Sequence, residues 1–463
     1  MEDRILIKNA KAIVTCDGTD QVYYDSDILI EGPQIKAIGK DLQAPGARVI
    51  AADGKFIYPG LINTHHHFFQ TFVRNMISID YPNLLVVEWL DKIYRIFQKI
   101  DEEVIYYSSV TAMADLIKHG CTCAFDHQYC YTKESGKHLV DRQMEAAALL
   151  GIRYHAGRGT NTLPRSEGST IPDGMLETTE EFLEDCERLI GLYHDPKPFS
   201  MKQIVVAPCQ PINSFPGTFV ESVKFARAKG VRLHTHLYEG DKPIMEERWG
   251  KTSLEWCRDI GFVGPDVWIA HAWEIQPEEY RFLADTGTGI SHCPAPAVLG
   301  GFPILDIKAL TEAGVLVSLG VDGSATNDSS SMLDSMRMAY LMQAYHSKSR
   351  GGCVSPYDIL KIATVNGAKT LGRPDLGSLE IGKAADLFMI DTEVLELTGT
   401  LHDPKNLIPR AGVTGPVHLT MINGQVVFEN GQLKGIDEKA LAKAGEAVCS
   451  RVLRSEFKDF FYM

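Results

Sequence analysis

Several signatures that would point straight to a function are missing from this 463-residue chain. Its ten cysteines run from Cys16 to Cys449 with no CxxC pair and no small-domain framework, so a disulfide miniprotein is excluded and the thiols read as reduced, core-forming residues of a cytoplasmic protein. No apolar run approaches 18 residues, and the opening MEDRILIKNAKAIVT is broken by charge at positions 2, 3, 4 and 8, so neither a membrane span nor export is expected. Positive charge is scarce: 46 Lys plus Arg stand against 60 Asp plus Glu, a net −14 that argues against a nucleic-acid partner. No GxSxG elbow occurs, which removes the serine-hydrolase reading, and HxE with PCxxC is absent because Pro208-Cys209 continues as Gln-Pro. What remains, 44% hydrophobic and 23% charged residues, is ordinary globular composition and favours small-molecule chemistry.

The chain is organised as two β-rich ends around an alternating middle. ILIKNAKAIVT, DILIEGPQIKAIGK and ARVIAADGKFIYPG read as short strands at one end. LGSLEIGKAADLFMI and VHLTMINGQVVFENGQL do so at the other, with Asn423-Gly424 a strong hairpin signal. We expect residues 1–58 and 375–433 to form one composite β-sandwich and 434–463 a C-terminal helical segment. Between them, over residues 59–374, eight short apolar runs recur: GLINTH, CTCAFDH, RYHAGR, IVVAPC, RLHTH, VWIAHA, GTGISHC and VLVSLGVD. Helical stretches separate most of them, and the span of about 260 residues suits an α/β fold of the (β/α)8 TIM-barrel type. A Rossmann sheet is the alternative, but no GxGxxG follows the first run.

A barrel strand is apolar until it emerges at its C-terminal rim, where the active sites of this fold are built. Here the rim positions carry His65 and His67, His234 and His236, His271, and Asp322. Residues i and i+2 of a strand face one side, so each histidine pair can point into the barrel mouth. A lone histidine is more often a hydrogen-bonded core residue, which is a sufficient account of His127, His155 and His292. Imidazoles and a carboxylate on four strand ends instead suit a divalent metal, Zn²⁺ in preference to Fe²⁺, in a catalytic role. Glu239, just past the fifth run, can move a proton between water and substrate, or it is only an acid stabilised at a helix N-terminus. His271 can orient the water or support the ligands.

These motifs resemble the amidohydrolase superfamily, and within it the aminohydrolases that include guanine deaminase, 8-oxoguanine deaminase and the triazine hydrolases. PGLINTHHHFFQ looks like that family's first-strand HxH, LHTHLYE its fifth-strand HxxE, IAHA its sixth-strand histidine and LGVDGSATND its eighth-strand aspartate. The resemblance spans nearly the whole chain. It implies His65, His67, His236 and Asp322 as metal ligands, and Glu239, His271 and Asp322 as the catalytic acid-base residues, with His234 as support. The lysine that bridges binuclear relatives at the end of strand four is replaced in VVAPC, so one metal per chain is implied.

The implied reaction is hydrolytic deamination of an amino-substituted N-heterocycle, such as 8-oxoguanine or a pterin, with release of ammonia. The alternative is a triazine-type hydrolase that expels an alkylamine or halide. A third, a scaffold that has lost its chemistry, is opposed by the intact ligands and Glu239. For substrate contacts, Gln70 is expected to meet a lactam edge. Cys209 stands where guanine deaminases carry an arginine, which argues against guanine. Arg158 is a candidate carbonyl donor or only a salt-bridge partner, and Trp89 a pocket wall or an apolar helix face. A homo-oligomer is expected, with no nucleic-acid or membrane partner.

Overall fold

The computed structural model describes residues 4–76, 81–84, 86–347 and 352–454. Eight parallel strands form the barrel: β1 (Leu61–Asn63), β2 (Cys121–Gln128), β3 (Arg153–Thr160), β4 (Lys202–Pro208), β5 (Arg232–Leu237), β6 (Val267–His271), β7 (Gly289–His292) and β8 (Val317–Leu319). Each pairs with the next in sequence. The ring closes where Thr64 N–H donates to Leu319 O (3.1 Å) and Asp322 N–H to His65 O (3.1 Å). All eight apolar runs are therefore barrel strands.

Strand parity sorts each side chain inward or outward. On β3, Tyr154 and Ala156 join the outer core with helix residues such as Met144 and Ala147. Gly157, of the opposite parity, faces inward, where a Cβ would lie 2.6 Å from the Phe125 ring and from Asp126 O. The barrel floor is aromatic: Phe125 and Trp268 pack edge to face at 4.8 Å, beneath His234. Around the ring lie the expected helices, among them Glu102–Lys118, capped by the Asp101 carboxylate accepting from Val104 N–H, and Thr179–Tyr193, opened by a Thr178/Glu181 capping box.

The two chain ends build one continuous nine-stranded sheet. Strand Leu387–Asp391 lies between Lys55–Pro59 and Leu419–Ile422, antiparallel to both. Asn423-Gly424 forms the hairpin turn, both with positive φ (54° and 75°), as a two-residue turn of this kind requires. The β region beginning at Leu376 is shorter than its pattern suggests, because Gly377 and Gly382 turn the chain through positive φ and regular pairing starts only at Leu387. One face of the sheet, with Val14, Phe56, Tyr58 and Phe388, packs on the barrel helices. The C-terminal helical segment includes the helix Glu438–Arg454, and residues 455–463 lie outside the described residues. No helix among the described residues is long and apolar enough to cross a membrane.

Candidate metal centre and active site

At the C-terminal rim, His65, His67 and His236 bring their ring nitrogens into one buried cluster. The hydrogen bonds behind them determine what those nitrogens carry. Nδ1 of His67 faces His127 O (2.9 Å) and Nδ1 of His236 faces Cys209 O (2.9 Å). A carbonyl can only accept, so both Nδ1 atoms bear the hydrogen and both Nε2 atoms are bare lone pairs. Likewise His234 donates from Nδ1 to Trp268 O (3.0 Å), which leaves its Nε2 to accept from His65 Nδ1 (2.9 Å) and strips His65 Nε2 as well. Burial pushes the pKa of His65 and His236 down to about 3 and that of His67 well below its ordinary value, so the rings are neutral.

Three bare nitrogens and a carboxylate thus face one another. Nε2 of His236 and His67 lie 3.0 Å apart, and Asp322 Oδ1 is 3.3 Å from His65 Nε2 and 3.4 Å from His67 Nε2. No hydrogen in this network satisfies those lone pairs, and His65 Nε2 has no hydrogen-bond partner. A divalent cation among them satisfies all four, so the residues fit the metal that their spacing suggests. Each Nδ1 contact holds a ring of the cluster in place, that of His65 through His234.

The other catalytic candidates gather at the same point. His271 stacks parallel on His236 (5.3 Å, 6°) and touches Trp273, and neither of its ring nitrogens has a hydrogen-bond partner. Its Nε2 is 3.5 Å from Glu239 Oε2. Glu239 lies three residues before the helix Lys242–Trp249, and its backbone N–H donates to Asp241 Oδ1 (2.7 Å). Desolvation, reinforced by the nearby charges of Asp322, Asp241 and Glu274, raises the Glu239 pKa well above its ordinary value, which favours the protonated carboxyl. Backbone strain is concentrated here too: Tyr238, His271, Ala272 and Asp322 all have left-handed φ (60°, 75°, 55° and 65°), each costing about 1–3 kcal/mol.

A cleft opens over the cluster. Its lining includes His67, His236, Glu239 and Asp322, the walls Trp89, Leu90, Tyr94, Tyr129, Ile212 and Ile244, and the uncharged polar groups of Gln70, Cys209, Gln210, Thr170 and Thr326. No Lys or Arg is among these described lining residues. Gln70, on the 3₁₀ turn Phe68–Val73, accepts from Ala325 N–H through Oε1 (3.3 Å). It packs so closely on Gly323 that a Cβ there would lie 1.9 Å from Oε1. Cys209 ends β4 where a bridging lysine would stand, and burial pushes its thiol pKa well up.

Arg158 does not join them, which corrects its reading as a substrate donor. Parity turns it outward, opposite to Gly157, where it pairs in bidentate fashion with Glu177 (2.7 and 2.8 Å) and with Asp185 (2.7 Å), and its guanidinium lies 3.6 Å from the Tyr131 ring centroid. It is a structural anchor. Arg158→Met is expected to destabilise the fold by about 3 kcal/mol, by leaving two half-buried carboxylates uncompensated. Thermal unfolding should show that loss while kcat/KM of the folded enzyme stays within about twofold.

Sequence reasoning missed Gln210 and Asn213. Gln210 donates to Glu239 Oε2 (3.0 Å), and it could have been found by the same rim rule, being one residue beyond the end of the fourth run.

The comparisons agree with this geometry. The chain is 51% identical over 452 residues to a hydroxydechloroatrazine ethylaminohydrolase of Pseudomonas sp. (strain ADP), covering 95% of this chain and 94% of that protein. It is 32% identical to an 8-oxoguanine deaminase of Pseudomonas aeruginosa, over 97% and 99% of the two chains. Its fold matches the crystal structure of an atrazine chlorohydrolase from Arthrobacter aurescens TC1 complexed with zinc at a TM-score of 0.92 and 31% identity, covering 96% of this chain and all of that one. The model of the amidohydrolase family matches residues 56–427, and the chain belongs to that family.

Proposed function

We propose that this enzyme hydrolyses the bond between a ring carbon and its exocyclic amine in a hydroxylated amino-N-heterocycle. An s-triazine bearing an ethylamino group is the first candidate substrate, and an 8-oxoguanine-like or pterin-like base losing ammonia the second. The observation that carries this reading is the meeting, in one cleft, of a cluster able to hold a cation with Glu239, a half-buried carboxyl whose pKa is raised above its ordinary value. The triazine is placed first because of the 51% identity to an ethylaminohydrolase, and because Trp89, Leu90 and Ile244 offer apolar surface for a short alkyl group. A lining without Lys or Arg suits a neutral, flat ring rather than an anion.

One Zn²⁺ per chain, in preference to Fe²⁺, would be held by His65, His67, His236 and Asp322. When bound, such an ion lowers the pKa of a water from 15.7 to about 7 and so supplies a nucleophile at neutral pH. Glu239 delivers its proton to a ring nitrogen, which makes the adjacent carbon electrophilic. The Asp322 carboxylate takes up the proton that the attacking water gives up. His271, with both nitrogens unpaired, orients the oxygen that adds, and the amine leaves with the returned proton, so water and the amino-heterocycle become the hydroxy-heterocycle and free amine. Gln70 holds a polar edge of the ring.

Initial rates on hydroxydechloroatrazine, 8-oxoguanine, isoxanthopterin and guanine, with ethylamine and ammonia measured separately, test the proposal. The triazine is expected to give the highest kcat/KM with release of ethylamine. Guanine should be poor, because Cys209 offers its carbonyl no charged donor. Gln70→Ala should weaken the best substrate more than the poor ones. Guanine as the best substrate, or no turnover of any of the four by the zinc-loaded protein, would overturn the reading.

A further inference from the structure

We propose that Gln210 and Asn213 are positioning residues for Glu239, a chain of one-way hydrogen bonds that decides which of its carboxyl oxygens is presented to the substrate. The inference rests on Glu239 being the proton carrier of the proposed reaction and adds residues that the family motifs do not include.

The direction of every link follows from one backbone group. The N–H of Thr170 can only donate, and it donates to Asn213 Oδ1 (3.0 Å), where the hydroxyls of Ser169 (3.0 Å) and Thr170 (3.1 Å) also arrive. That end of the Asn213 amide is therefore the oxygen, and its Nδ2 must face Gln210, whose Oε1 accepts at 3.2 Å. With its oxygen committed, Gln210 has only its amide hydrogens to offer Glu239, and Nε2 donates to Oε2 at 3.0 Å. Oε2 is thus occupied as an acceptor, and Oε1 is left as the oxygen that carries the transferable proton. The chain is rigid and dry: Asn213 is 1% and Gln210 7% exposed, and the Asn213 carbonyl is gripped by the N–H groups of Thr162 (3.1 Å) and Leu163 (3.0 Å). Thr170 itself lines the cleft, so the same chain couples the acid to the wall that meets the substrate.

Asn213 is outside the cleft lining, which makes it the cleaner site to change. In Asn213→Asp the three donors to Oδ1 keep an acceptor, but nothing donates to Gln210. Its amide then turns over to donate to the introduced carboxylate, and its oxygen meets Glu239, which answers only by placing its own proton on Oε2. We expect kcat to fall about 10- to 100-fold, part of the 10²–10⁴-fold that a positioned acid supplies, with KM within about threefold and metal content unchanged. Gln210→Met, which keeps length but loses the donor, should lower kcat by a similar factor. The double variant should be no worse than Gln210→Met alone, because the donor that Asn213→Asp removes acts only through Gln210.

Additive losses, or a kcat in either variant within about twofold of wild type, would overturn the proposal. So would a decline in Gln210→Met that tracks lost metal or lost folded protein. If Asn213→Asp folds poorly, Gln210→Met decides the matter. Glu239→Gln separates this inference from the function beneath it. Full activity there removes the proton carrier itself, whereas an inactive Glu239→Gln beside unaffected Asn213→Asp and Gln210→Met removes only the positioning chain.

Discussion

Glu239→Gln should lower kcat by about 10²–10⁴-fold while leaving KM, metal content and thermal stability near wild type. The amide has the shape of the carboxyl, and its oxygen can still accept from Gln210, so no buried donor is left unpaired. What it lacks is a proton to release. In the wild type, desolvation and three neighbouring acids raise the pKa of that carboxyl and so favour its protonated form. The sign of the pH dependence follows: a group that works as an acid loses activity as pH rises through its pKa, and because that pKa is raised, the falling limb lies well above the usual carboxylate range. The limb should vanish in the variant. Steady-state kinetics with metal analysis on both proteins provides the check, and activity within a few-fold of wild type would require a different proton carrier.

Removal of the metal should have the second large effect. The protein is expected to hold about one divalent ion per chain, and chelation should abolish turnover and lower Tm, with both restored by one equivalent of Zn²⁺. The destabilisation has a local cause. Without a cation, the bare Nε2 atoms of His67 and His236 face each other at 3.0 Å, and Asp322 adds a negative oxygen 3.4 Å from His67. The stabilisation regained at a metal concentration one hundred times Kd is about 2.7 kcal/mol. Calorimetric titration of the chelated protein reads both stoichiometry and recovery. Two tightly bound ions per chain, or activity that survives chelation, would refute a single essential metal.

The barrel was legible because its strands are short apolar runs ending in chemistry, and His65 with His67, His236, His271 and Asp322 mark where four of those ends face the barrel mouth. Glu239 was legible for the same reason. Arg158 shows where such reading stops: it sits at a strand end too, but alternation points it away from the mouth, and only counting parity from Gly157 distinguishes the two sides. Gln210 lay within reach of the rim rule, one residue past the fourth run, but Asn213 stayed hidden because an uncharged amide away from a strand end has no spacing rule of its own. Its role is set by which neighbour must donate and which must accept, and these are partners up to 44 residues apart, as Ser169 and Asn213 are. The shortened strand at Leu387 reflects a related limit, since apolar alternation continues through Leu376–Ile381 although the backbone there turns at glycines.

The placement of strand Leu387–Asp391 between Lys55–Pro59 and Leu419–Ile422 also bears on how the chain is made. The open edge of Lys55–Pro59 leaves the ribosome about 330 residues before the strand that covers it, which at roughly 5–20 residues per second is a wait of some 15–65 s. For that interval a nascent chain carries the apolar strand KFIYP with one side unpaired, the condition under which strands from different chains join. The entropy of closing so long a loop grows only with the logarithm of its length, so the finished sheet loses little by the arrangement. The vulnerability is one of timing during synthesis, confined to the interval before the last strands of the sheet emerge.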